Sequence, residues 1–249
     1  MMATTAKETI SELFNSKVSN AQLVDDFNLY HSSVTQKLWS ADYYNRQIST
    51  LDINNWRTFV YPSGTLAAGT TYVFSSPPVD PIIEYCRYLN LLIDGFFMNS
   101  MSVLDTLAHE LFVLYSSQKA KSDIYINTAH AMISKVHPTS QIKRVLDSQL
   151  PPGGWFTEFE RYRHCTTHES LIVYDDIHFS IDPVNFSYRL DQPIKLPDNP
   201  QVRPLTYNLN RNLVTYCLST FQTIESLISN IYASALLDIH AKGDTLPIP

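Results

Sequence analysis

The sequence predicts an all-α protein, an antiparallel helical bundle of long helices carrying small β-hairpin insertions. Three observations lead there. Two stretches, from Asp80 to about Ser117 and from about Tyr207 to His240, contain no proline past the first turn and return apolar residues every three or four positions. Only 6 of 249 residues are glycine, and neither a GxxxxGK[ST] nor a GxGxxG run occurs, which argues against phosphate-loop and dinucleotide folds. Segments rich in β-branched and aromatic residues are short and bounded by proline, glycine or aspartate, so they read as decorations on a helical body.

Taken in order, Thr5 and Glu8 have capping-box spacing ahead of Ile10, Leu13 and Phe14. A second helix starts after Asn20, with Leu23, Phe27, Tyr30, Val34 and Leu38 in one stripe. Trp56–Tyr61 and Thr71–Phe74, separated by Pro62, Ser63, Gly64 and Gly69, predict a hairpin with a long loop. Asp80 followed by Pro81 is a cap with proline at the first helical position, opening a helix whose weakest point is Gly95. Ser122 and Asp123 open the next helix, which ends near His137. Thr139 begins a shorter one carrying Ile142, Val145, Leu146 and Leu150, stopped by Pro151 through Gly154.

From Trp155 to about Ser170 a helix is expected, with Trp155, Phe159 and Tyr162 near one face and a polar, basic remainder. Leu171–Tyr174, His178–Ile181 and Phe186–Leu190 predict short strands, and Pro193, Pro197, Pro200 and Pro204 an extended connector. The last helix runs from about Tyr207 through Leu209, Leu213, Cys217, Phe221, Ile224, Leu227 and Ile231, and Gly243 ends it with a loose tail beyond. The expected organisation is residues 1–78 as N-terminal helices and a hairpin packed on the core. Residues 79–249 form the main bundle, with a strand insertion around 171–205.

A 44% apolar share with 17% charged residues supports a large core. The net charge of −6 offers no global attraction for polyanions, so any nucleic-acid role rests on a local basic site. Cys86, Cys165 and Cys217 are odd in number and lack CxxC spacing, which reads as free thiols in a reducing compartment. No basic segment followed by an apolar run opens the chain, and no uncharged apolar window of spanning length stands out. The expectation is therefore a cytoplasmic protein without membrane contact.

The densest group of reactive side chains is Glu160-Arg161-Tyr162-Arg163-His164-Cys165-Thr166-Thr167-His168-Glu169. Arginine and histidine suit proton transfer beside a phosphate whose charge grows in the transition state. An imidazole titrates near pH ~6.5 and can take and return a proton, while a guanidinium stays charged and can bond two phosphoryl oxygens. On an ideal helix the five residues from Arg163 to His168 correspond to about 500°, leaving the two side chains about 140° apart.

Arg163 and His168, four residues between them and the polar His164 directly after the arginine, resemble the R-x4-6-H signature of the HEPN superfamily. The resemblance covers roughly Asp80 to His240. It implies a helical-bundle ribonuclease in which Arg163 and His168 match the invariant pair and His164 the polar position. A homodimer would bring two motifs together in a cleft, with RNA as substrate, no metal or other cofactor, and an antitoxin-like or other protein partner. It equally implies the alternative of a non-catalytic HEPN-like binding or dimerisation module. No acidic residue is carried over as catalytic.

Other readings stand beside these. Arg163 and His168 on an exposed face can simply be solvated or paired with Glu160 or Glu169. Glu160, His164 and His168 recur at i, i+4 and i+8, a spacing permissive for Zn²⁺, although the next ligand position, Ile172, is apolar. Asp105 and His109 share a helix face and reach toward Arg163 or bridge helices. Cys165 reads as a small buried residue, and Tyr43, Tyr44, Tyr85, Tyr88, Tyr162 and Tyr216 either stack bases or pack the core and its rim.

Overall fold

The structure, a computed structural model, describes residues 2–52, 81–116, 118, 124–166, 172, 174–182, 188–243 and 245–246. Seven helices run among them: α1 (Met2–Lys17), α2 (Ala21–Thr50), α3 (Pro81–Ser116), α4 (Ile126–Val136), α5 (Gln141–Gln149), α6 (Trp155–His164) and α7 (Leu213–Ala241). Four short strands join them, β1 (Phe179–Ile181), β2 (Tyr188–Leu190), β3 (Lys195–Leu196) and β4 (Arg211–Asn212). β1 pairs antiparallel with β2, Phe179 opposite Leu190, and β3 pairs antiparallel with β4, Lys195 opposite Asn212. The fold is the expected helical bundle with small β insertions. The hairpin expected over 56–74, the Asp80 cap and the Ser122–Asp123 helix start lie outside the described residues.

Several boundaries differ from expectation. α4 begins at Ile126, after an extended Tyr125 (φ −109°, ψ 164°). α5 is capped by Ser140 rather than Thr139, the Ser140 hydroxyl accepting from the Lys143 N–H. The last helix begins at Leu213 instead of Tyr207. Arg211 and Asn212 pair with β3, and the Asn212 side chain takes the N-cap position, accepting from Thr215 N–H. Leu209, which fits the helical period, is 61% exposed in the turn ahead of it. Ile172 and Tyr174 are described outside any strand. Beyond Gly243, Leu246 is buried, so the tail is anchored there.

The long helices set the frame. On α2 and α3, His31 meets Glu110, Lys37 meets Ser102, and Tyr44 covers Gly95, so the two run antiparallel along their length. On α3 and α7, Phe97 meets Tyr216, Glu110 meets Tyr232, and Tyr115 meets Asp238, so these run parallel. α1 folds back on α2 through Phe14 stacked on Phe27, ring centroids 4.1 Å apart. Gly95 is needed for the close approach of α2: a Cβ there would stand 2.2 Å from the Tyr44 ring.

α3 buries Leu89, Leu92, Ile93, Phe96, Phe97, Leu104, Leu107, Ala108 and Leu111, which lie on several sides of the helix. Such a helix belongs in the centre of a bundle, and α3 packs against α2, α4, α6 and α7. From Ile82 to Ser116 it is also long and apolar enough to cross a membrane by length and composition, a run the sequence reading passed over. Most of that apolar surface is covered by the neighbouring helices.

Two polar networks cross this core. Glu110, its side chain 2% exposed, accepts from Tyr232 Oη at 2.8 Å and from His31 Nδ1 at 2.6 Å. Lys7 of α1 closes over them, donating to the His31 carbonyl at 2.7 Å and to Thr35 Oγ1, with its ammonium 5.6 Å from the Tyr232 ring centroid. Burial pulls the Lys7 ammonium down and the Glu110 charge opposes it. At the far end Asp238 of α7 accepts from Tyr115 Oη (2.9 Å) and from the N–H groups of Gln141 (2.7 Å) and Ile142 (3.2 Å), capping α5. His137 Nε2 donates to the Tyr115 carbonyl at 2.9 Å, since a carbonyl can only accept.

Asp238→Ala removes acceptors from two helix N–H groups and leaves the buried Tyr115 hydroxyl unpaired, so it is expected to cost about 3 kcal/mol in urea unfolding. Asp238→Asn, which keeps one acceptor, should cost less; equal stability of the Ala variant would show that the α5 cap contributes nothing. Asp94 gives a pH test of opposite sign. Burial pushes its carboxyl from 3.8 up to about 6, and its Oδ1 has no hydrogen-bond partner among the described residues. The folded state therefore keeps this proton longer than the unfolded chain, and its contribution to stability falls as pH rises from about 4 through about 6. Asp94→Asn should stabilise the protein by about 1 kcal/mol at pH ~7.5, after allowance for solvent screening, and by nothing at pH ~4. Urea unfolding at both pH values measures it, and no gain at the higher pH refutes it.

Candidate functional site

α6 is set by its entry. Gly153 turns the chain in the left-handed region (φ +74°) with its N–H on Thr157 Oγ1 at 3.1 Å, and Gly154 stands extended at the N-cap. Trp155 Nε1 donates back to the Gln149 carbonyl at 2.7 Å. Phe156, Phe159 and Tyr162 are buried, and Phe97 of α3 lies 5.7 Å from Phe159 and 5.2 Å from Tyr162 between ring centroids. Fixing that face turns Glu160, Arg161, Arg163 and His164 away from the core.

Past α6, the connector before α7 is clipped to it. Arg211 donates to Glu158 Oε2 (2.5 Å), to Tyr162 Oη (3.2 Å) and to the Asp198 carbonyl (2.7 Å). The Asp198 carboxylate gathers Thr206 Oγ1, Asn208 N–H and Leu209 N–H at 2.7–2.9 Å. Burial pushes the Tyr162 phenol up to about 12, which keeps it protonated and able to donate to the Pro197 carbonyl. Cys165 is buried with its Sγ 3.9 Å from the Pro200 carbonyl, as a small core-filling residue should be.

These constraints leave an open cleft of about 370 Å³ between α6, α3 and the connector. Thr157, Glu160, Arg161, Arg163 and His164 line it from α6, Met101 from α3 and Gln201 from the connector. Arg163 is half-buried while Arg161 and His164 are exposed. The helix continues through Cys165 (φ −58°, ψ −50°), whose N–H is shared between the Arg161 and Tyr162 carbonyls.

The charges around Arg163 are mixed. Burial raises the Asp105 carboxyl, and Arg163, His109 and Lys37 pull it back. Burial also raises Glu160, with Arg163 opposing and Asp105 adding to the rise. Arg163 thus lies within electrostatic range of one carboxyl on α3 and another on its own helix. His109 donates through Nδ1 to the Asp105 carbonyl at 2.7 Å, and the ring lies against Tyr30.

Of the residues singled out from sequence, Arg163 and His164 are brought together on the cleft, and His168 lies outside the described residues, as do Thr167 and Glu169. Asp105 does reach the surroundings of Arg163, although its link to His109 runs through the backbone carbonyl. Among the described residues no three His, Cys, Asp or Glu side chains gather as metal ligands. Tyr85 and Tyr162 are buried in the core, whereas Tyr43 is exposed beside Trp39, itself 70% exposed. Sequence reasoning missed Thr157, Met101 and Gln201 as walls of the cleft. Thr157 had a local signal in its spacing from the Gly-Gly turn; Met101 and Gln201 arrive by tertiary packing and had none.

Arg211→Ala is expected to loosen the connector, with a loss of about 2 kcal/mol in urea unfolding and faster amide hydrogen exchange at Asn208 and Leu209. Unchanged exchange would mean that the Asp198 turn holds itself. Compared with protein-family models, with curated proteins and with solved structures, the chain matches none.

Proposed function

We propose that the chain is a metal-independent endoribonuclease of the HEPN type. One observation carries the reading: Arg163 and His164 stand side by side on an open cleft that also receives Arg161. In this mechanism His168 takes the proton of a ribose 2′-hydroxyl, and the 2′-oxygen attacks the adjacent phosphorus. The bond to the 5′-oxygen breaks and that oxygen accepts a proton, leaving a 2′,3′-cyclic phosphate and a 5′-hydroxyl. Arg163 holds the phosphoryl oxygens as charge grows on them, and His164 orients or assists. The active form is a homodimer pooling two motifs, in the cytoplasm, with an antitoxin-like or other protein partner and no membrane contact.

A second reading, a non-catalytic HEPN-like binding or dimerisation module, is favoured by the carboxyls of Asp105 and Glu160 near Arg163, which weaken its pull on phosphate. Both readings meet in one assay. Nuclease-free protein should cleave RNA equally well with and without chelator, and Arg163→Ala or His168→Ala should lower the rate by at least about 100-fold. Full activity in the His168 variant would refute the mechanism. No cleavage by the intact chain, with partner binding that survives both substitutions, would establish the module instead.

A further inference from the structure

A carboxylate on the wall of a cleft that takes a polyanion calls for an explanation, and Glu160 is that carboxylate. Two residues earlier, Glu158 is neutralised by Arg211 at 2.5 Å. Among the described residues no basic side chain clamps Glu160 in this way, and the hydrogen bond that its Oε1 accepts from Asn127 is long, at 3.4 Å. Spacings of three and four residues place it on the same helix face as Arg163 and His164. Burial raises the Glu160 carboxyl and Arg163 opposes that rise, and the cleft holds this guanidinium and an acceptor with one long hydrogen bond side by side.

We propose that Glu160 makes this cleft selective for guanine, its carboxylate accepting N1–H and N2–H of a base whose neighbouring phosphate is held by Arg163. The inference rests on the ribonuclease reading for its substrate, single-stranded RNA, whose unstacked bases expose their Watson–Crick edges. Guanine alone carries two adjacent donors on that edge, matching the two oxygens of a carboxylate. Cytosine and adenine each offer an amino group beside a ring-nitrogen acceptor, and uracil one N–H between two carbonyls, so each turns a lone pair toward the carboxylate. Arg161 and Gln201 on the same cleft supply donors for guanine O6. At about 370 Å³ the cleft is within the range of small-ligand sites and suits one nucleotide rather than a duplex.

The test is a titration of the full-length protein with the four nucleoside 3′-monophosphates at low salt, for the wild type, Glu160→Gln and Arg163→Ala. The wild type should bind 3′-GMP about tenfold more tightly than the other three. Glu160→Gln should remove that preference while changing the other affinities little, because one carboxylate acceptor oxygen is replaced by an amide N–H donor. Arg163→Ala should weaken all four alike. Four equal affinities, a guanine preference that survives Glu160→Gln, or no binding of any of the four would overturn the inference. RNA cleavage measured on the same samples then decides separately whether the ribonuclease reading falls: activity without guanine preference ends only the selectivity, and guanine preference without activity ends only the ribonuclease reading.

Discussion

The bundle depends on one buried carboxylate. Glu110 sits in the middle of α3, and both of its oxygens are taken, one by His31 of α2 and the other by Tyr232 of α7. Apolar attraction is non-directional, but a buried charge with directional partners is not, because a shift of one turn would leave it unpaired at a cost of about 3–5 kcal/mol. Glu110 therefore fixes the register of three helices at once. Lys7, closing over the same group from α1, ties the fourth to the same point. Burial and the Glu110 carboxylate drive the Tyr232 phenol well above its ordinary range, so the donor that the arrangement needs stays protonated.

Consequences reach the cleft through the rigidity of α3. Asp105 and His109 share a face at i, i+4, whereas Glu110 is turned about 100° from His109. Locking Glu110 inward thus turns Asp105 about 140° from it, toward Arg163 on α6. Phe97, two turns earlier, receives Phe159 and Tyr162, and so sets how far α6 rolls. The position of Arg163 relative to Asp105 follows from these two contacts. Its position relative to Gln201 follows from Arg211, which joins the outer side of α6 to the connector.

The helical architecture was legible because it is written locally. The stripe from Leu23 to Leu38 and the one from Leu213 to Ile231 are period-3.6 patterns, and the Asn20 cap and Pro151–Gly154 break are single-residue signals. What local pattern misjudged were ends decided by distant partners. Leu209 satisfies the period of α7, yet Asp198 draws its N–H into a turn and β3 takes Arg211 and Asn212 into a strand. The same holds at the cleft. Arg163 and His164 could be named from their order in the chain, and the proximity of Asp105 could be weighed from helix spacing. Met101 and Gln201 could not be, since nothing in the sequence around either says that it will border α6. Glu110 carried no signal in the sequence, because a buried acid announces itself by its partners, and those lie 79 and 122 residues away.

The charge arrangement bears on how such a cleft would work. A chain of net charge −6 cannot draw a polyanion from a distance, and the carboxyls near Arg163 dilute even the local field. On the proposed ribonuclease reading, recognition in the cleft comes from contact geometry rather than long-range attraction. That setting favours a guanidinium over an ammonium, since its planar fork gains from two directed bonds where a point charge would gain only from potential. On the same reading it gives the neighbouring acid a use. In a strongly basic groove a carboxylate would be absorbed into ion pairs, whereas in a nearly neutral one it keeps acceptor capacity for a ligand that brings its own donors.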